Sequence, residues 1–275
     1  MSSSTDSNIE LLMKIISYGG EESMSKIQEF LDKGVDINEK DKYEQTALML
    51  SATKVDKHGI LIMQMLLDNK ADPNFQDDVG MTALINTARF GYTAHIARNV
   101  KIKYSELYGR GCGLFDKEHK EDHSISMMWL LLNKGADPNM WELKDKWTAL
   151  MYAARYRGEY GLKMTRLLLD MGADPNIKSK EGNTALMIAT EEEPEDEYAL
   201  SIMSELLNKG ADPNIQNKCG FTAGMNASLL ECDYAIKMVS LLVAHGARLT
   251  WDCESCLEML QSPGPQVESV LHIES

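Results

Sequence analysis

The chain has 275 residues, 44% hydrophobic and 25% charged, with a formal net charge of −14. That composition supplies a packed core and sets aside a disordered chain. The acidic balance argues against nucleic acid, whose phosphates call for Lys and Arg, and against an anionic membrane surface.

The N-terminus, MSSSTDSNIE, has neither a basic region nor a long apolar stretch, so no secretory signal is expected. No apolar run approaches the ~20 residues that a transmembrane helix needs. The five cysteines, Cys112, Cys219, Cys232, Cys253 and Cys256, are odd in number and unevenly spread. They suit free thiols in a reducing compartment, and the expected location is the cytoplasm or nucleus.

Taken along the chain, two phrases recur. The first is GVDIN at 34–38, KADPN at 70–74, and GADPN at 135–139, 172–176 and 210–214, with a degenerate GARL at 246–249. The second follows each of the first five: QTALML, MTALIN, WTALMY, NTALMI and FTAGMN. Their threonines, Thr46, Thr82, Thr148, Thr184 and Thr222, are spaced by 36, 66, 36 and 38 residues. Repetition at such periods is the signature of a solenoid. Thr favours a helix N-terminus, and Ala and Leu favour the helix itself, so each Thr-Ala-Leu opens a short helix. A second helix follows, as in 62–70, 164–172 and 202–210, with apolar residues at i, i+3 and i+4. The glycines at 135, 172, 210 and 246 end that helix at a position favouring positive φ, and the Pro of Asp-Pro-Asn prevents its continuation.

Six units are read: 8–41, 42–77, 78–145, 146–180, 181–218 and 219–254. The first contains IELLMKIIS in place of a Thr-Ala-Leu opening and reads as an N-terminal cap. Residues 255–261 read as a C-terminal capping helix, so 1–261 forms one domain and 262–275, with Pro263 and Pro265, a flexible tail. Each unit buries its apolar face only against its neighbours.

Three irregularities interrupt the pattern. The third unit carries an insertion over 91–123, in which 92–108 has the spacing of an amphipathic helix. Five basic residues and one acid lie between Arg89 and Arg110. Trp129 falls at a normally outward position, which favours the insertion folding back on its own acidic protein; docking an acidic partner is the alternative. The second irregularity is the acidic run EEEPEDE at 191–197, read as a solvated loop, with capture of a basic partner as the alternative. The third is Cys253-Glu254-Ser255-Cys256, a single CxxC where structural zinc needs four ligands.

The linked motifs G-A-D-x-N, D-x-x-G-x-T and A-L resemble the ankyrin repeat over roughly 8–254. Two departures stand out: the usual Thr-Pro-Leu-His is Thr-Ala-Leu-Met, and the glycine found at 80, 182 and 220 is Glu44 in the second unit. A further residue lengthens one finger, since Asn139 and Thr148 are 9 apart where Asn74 and Thr82 are 8 apart. The resemblance implies an all-α repeat solenoid of helix-turn-helix units joined by β-hairpin-like turns. It also implies a protein partner on the concave face, against turn tips and first helices. Carried over by position, the candidate partner-binding residues are Met81, Phe90, Trp141, Trp147, Arg155, Tyr156, Arg157 and Phe221. It marks Asn74, Asn139, Asn176 and Asn214 as candidate substrates of an asparaginyl hydroxylase.

No phosphate-binding loop, nucleophile elbow or His-x-x-x-His pair occurs. The expectation is a monomeric, non-catalytic adaptor or inhibitor of an unidentified protein, needing no cofactor or metal. A host-directed effector of an intracellular parasite or large DNA virus is the alternative reading. A metal or redox protein acting through the CxxC is a further one.

Overall fold

The computed structural model describes residues 5–18, 21–90, 123–156, 158–191, 198–230 and 233–248. Outside them lie the insertion apart from His123, Arg157, 192–197 of the acidic run, the CxxC, the expected capping helix and the C-terminal tail.

The described elements are helices, taken in pairs. They are α1 (Thr5–Tyr18) and α2 (Glu21–Asp32), then α3 (Ala47–Ala52) and α4 (Lys57–Asp68). Helix α5, over 83–90, and α6 (His123–Asn133) flank the insertion. Helices α7 (Ala149–Arg155) and α8 (Gly158–Asp170), α9 (Ala185–Ile188) and α10 (Tyr198–Asn208), and α11 (Ala223–Ser228) and α12 (Asp233–Ala244) complete the series. The first helix packs on the second in the pairs α1–α2, α3–α4, α7–α8, α9–α10 and α11–α12; along the chain α4, α6, α8, α10 and α12 each contact the next, as do α7, α9 and α11.

The short first helices exist because their ends are satisfied. Thr46, Thr148, Thr184 and Thr222 sit at N-caps, and their hydroxyls accept from the backbone N–H of Met49, Met151, Met187 and Met225. Thr82 does the same for Ile85 at 3.1 Å. Each bond satisfies one of the N–H groups that a helix start leaves over. The following alanines, Ala47, Ala83, Ala149, Ala185 and Ala223, are at most 1% exposed, so no larger side chain fits there.

The core is a set of columns running through the repeats. Leu66, Leu131, Leu168, Leu206 and Leu242 are all 0% exposed, one in each second helix from α4 to α12. Met63, Met128 and Met203 form a second fully buried column, with Thr165 at the matching position in α8. Burying each of these leucines and methionines stabilises the fold by ~1.5–3 kcal/mol. Because the columns cross unit boundaries, the stabilisation belongs to neighbouring pairs of units.

The helix-stopping glycines adopt the expected left-handed backbone, with φ of 91° at Gly135 and 90° at Gly172 and Gly210. Lys70 stands in the same place with φ 67°, against the preference of a side chain with a Cβ. The departures at the next turn are accommodated likewise. Gly80, Gly182 and Gly220 have φ of 82–85°, and Glu44 (58°) and Lys146 (55°) follow them. The fingers between units are tight turns, each closed by one hairpin hydrogen bond: Asp41 N to Gln45 O at 2.9 Å, Asp77 N to Met81 O at 3.1 Å, Ser179 N to Asn183 O at 2.9 Å and Asn217 N to Phe221 O at 2.9 Å. The hairpin character is local. Among the described residues the fingers form no extended sheet, only the isolated bridge between Trp141 and Thr148.

Candidate protein-binding face

A side-chain acceptor organises the base of every finger. Asp41 Oδ1 accepts from Tyr43 N and Gln45 N, Asp77 Oδ1 from Val79 N and Met81 N, and Asn217 Oδ1 from Cys219 N and Phe221 N. Ser179 Oγ accepts from Asn183 N. The finger with the additional residue uses Glu142, one methylene longer than Asp. Its carboxylate accepts from Lys144 N at 2.6 Å, Asp145 N at 2.9 Å and Trp147 N at 3.1 Å. Glu142 is 4% exposed, so its charge is held inside the turn it shapes.

Successive fingers are also stitched together. Leu143 N donates to Val79 O at 2.8 Å, Lys180 N to Asp145 O at 2.7 Å and Lys218 N to Glu181 O at 3.0 Å. This holds the tips in register as one surface. On it stand Tyr43 (54% exposed), Val79 (51%), Trp141 (44%), Leu143 (62%), Phe221 (37%) and, at the end of α11, Leu229 (49%). Apolar residues exposed singly are ordinary; Val79, Trp141 and Leu143 are exposed together on two adjoining fingers.

The candidate residues divide. Trp141, Phe221 and Arg155 are exposed, and Phe90 and Trp147 are half-buried. Arg157 lies outside the described residues. Met81 and Tyr156 depart from the expected surface ridge: Met81 is 4% exposed and Tyr156 8%, and both belong to the core. The reason is geometric. Asp77 draws the Met81 backbone into the finger base, and the Tyr156 hydroxyl turns back to donate to Arg89 O at 3.2 Å, tying the end of α7 to the end of α5.

The structure brings Tyr152 into the site, which sequence reasoning had not singled out. Its ring meets Trp147 with centroids 5.1 Å apart and planes at 60°, and the Arg155 guanidinium lies 5.5 Å from the Trp147 centroid on the ring face. Arg89 is placed similarly at 5.7 Å from Phe90. Burial pushes the Tyr152 phenol above its ordinary value, with Arg89 and Arg155 drawing it down and Glu142 and Asp145 pushing it up. The available signal was position: Tyr152 falls four residues after Thr148, where the other units have Leu50, Asn86, Ile188 and Asn226.

Among the described residues no group of three or more His, Cys, Asp or Glu side chains is arranged to hold a metal ion, and no helix is long and apolar enough to cross a membrane.

Residues 119–217 match the family model described as ankyrin repeats (3 copies). No curated protein sequence matches the chain. Among solved structures, an ankyrin repeat domain from Acinetobacter baumannii AYE is similar at TM-score 0.65 and 21% identity, covering 86% of this chain and 98% of that one. The ankyrin repeat protein EF0377 is similar at TM-score 0.62 and 20% identity, covering 86% and 97%. Capped first helices, left-handed helix stops, hairpin fingers and these likenesses agree: residues 119–217 match ankyrin repeats, and the chain has the fold of an ankyrin-repeat solenoid.

Proposed function

We propose that this chain is a non-catalytic protein-binding module that holds its partner against the finger tips and first-helix ends, centred on α5 and α7. Ankyrin repeats are generally protein–protein interaction modules, which supports the class of function. The observation that supports this location is the exposed group Val79, Trp141 and Leu143, on adjoining fingers joined by the bond from Leu143 N to Val79 O, with Phe221 exposed two fingers further on. A pre-ordered apolar row loses little conformational entropy on binding, and Trp, Tyr and Arg dominate interface energetics. The Trp147, Tyr152 and Arg155 group supplies all three.

The test is quantitative affinity capture from cell extract with wild type and the Trp141→Ala, Trp147→Ala variant, its fold checked by circular dichroism. One captured protein should fall by about tenfold or more in the variant, as loss of hot-spot residues requires. Equal recovery would move the site off this face. Absence of any specific protein would overturn the binding reading.

A further inference from the structure

We propose that the apolar face left open at the distal end of the solenoid, on α11 and α12, is covered by residues 255–261 of the same chain, with Cys256 sealed against it. The inference concerns the end of the stack and is independent of the protein-binding reading above.

The open face emerges from equivalent positions. Three residues past the capping threonines stand Met49, Ile85, Met151 and Met187, each 1% exposed. Met225 holds that position in the last described unit and is only half-buried. On the second helices, fully buried Met63, Met128 and Met203 give way to half-buried Val239, and buried Leu207 to half-buried Val243. The last unit is built like the others, so what it lacks is a following neighbour. The fingers agree. A Cβ on Gly80 would meet Leu143 N at 2.7 Å and one on Gly182 would meet Lys218 N at 2.9 Å, whereas no described residue lies within 4 Å of one on Gly220.

The chain itself supplies the occupant. Asn214 Nδ2 donates to Gly246 O at 3.0 Å and its Oδ1 accepts from Arg248 N at 2.7 Å, the same two bonds that carry the chain from each earlier unit into the next. Shortly beyond Arg248, Ser255-Cys256-Leu257 restates Thr-Ala-Leu, and Glu258 follows Ser255 at the spacing of a capping box. Cys256 falls at the place of Ala47, Ala83, Ala149, Ala185 and Ala223, at most 1% exposed, where only a small side chain fits. A free cysteine is small and apolar enough for it. Leu257 falls at the place of the buried Leu48, Leu84, Leu150 and Leu186. Glu258 falls where Met49, Met151 and Met187 are buried and Met225 is left half-open. A carboxylate at that position suits the outer side of a terminal unit, which meets water and accepts no further neighbour.

The test is the time course of maleimide labelling of the full chain, mapped by peptide mass spectrometry, with each cysteine's rate taken relative to its own rate in urea. Cys219, exposed at a finger tip, is the internal reference. Cys256 should be slowed by about tenfold or more relative to Cys219, since a buried thiol is inert. Met225→Lys and Leu257→Lys should each bring Cys256 close to the Cys219 rate while circular dichroism keeps its helical signal. Leu257→Lys lies outside the described units, so it decides the matter if Met225→Lys fails to fold. Labelling of Cys256 as fast as Cys219 in the wild-type chain would overturn the proposal. Protection indifferent to the lysine variants would also overturn it, by placing Cys256 against another surface. Protection that grows with protein concentration would overturn it in favour of a second copy on this face.

Discussion

Asn176 and Gly210, in successive units, are joined by the Asn176 side-chain amide, which donates to the Gly210 carbonyl at 2.9 Å. The same side chain accepts from Asp212 N at 2.8 Å, so one asparagine satisfies a donor and an acceptor at the next helix stop. The arrangement recurs from Asn38 to Lys70 and Asp72, Asn74 to Gly135 and Asp137, Asn139 to Gly172 and Asp174, and Asn214 to Gly246 and Arg248. Within each motif the Asp prepares the Asn: Asp174 Oδ1 accepts from Asn176 N at 2.8 Å. The recurring Asp-Pro-Asn is thus a turn whose last residue reaches into the following unit.

Asn176→Ala leaves one carbonyl and one N–H of the next unit without their protein partner. It is expected to cost about 1–3 kcal/mol in urea unfolding. Because a solenoid is held together by nearest-neighbour terms, the loss falls on one boundary, and the transition should broaden. Asn176→Asp keeps the acceptor and loses the donor, and should lie between wild type and alanine.

Gly161 and Gly59 occupy equivalent places in α8 and α4. A Cβ on Gly161 would stand 1.6 Å from Tyr156 O, and one on Gly59 1.8 Å from Lys54 O. Gly→Ala inside a helix ordinarily stabilises by about 1 kcal/mol. Here the sign should reverse, with Gly161→Ala costing about 2–3 kcal/mol as the connection between helices is pushed out. Thermal melts of the two alanine variants check this; a raised melting temperature in either would show that the loop moves freely.

Lys70 holds the left-handed conformation that glycine holds in the later units. Lys70→Gly should stabilise the chain by about 1 kcal/mol, the usual cost of a Cβ in that region. Chemical denaturation with an unchanged m-value would establish that the gain is local.

Thr165 is fully buried in α8, and its hydroxyl finds no hydrogen-bond partner among the described residues. The matching residues are Met63, Met128 and Met203. Thr165→Val removes the stranded hydroxyl at nearly constant volume and should stabilise by about 1 kcal/mol. A destabilised variant would mean that the hydroxyl has a partner after all.

The repeat phase, the threonine caps, the left-handed helix stops and the apolar face of the second helices were legible in the sequence, because each depends on residues close in the chain. Spacing alone places Thr148 before Ala149 and Leu150, and the cap bond follows locally. Trp141, Arg155 and Phe221 are exposed, as turn-tip and helix-end positions are expected to be. The burial of Met81 and Tyr156, the pairing of Trp147 with Tyr152, the bond from Tyr156 to Arg89 and the asparagine ladder were decided by the tertiary structure. Each depends on how far one unit turns relative to the next. A finger residue and a helix-end residue at the same offset point inward or outward according to what the adjoining unit places against them. Glu142 shows both levels: the sequence displays a longer finger and a longer acid, and only the folded turn shows that one closes the other.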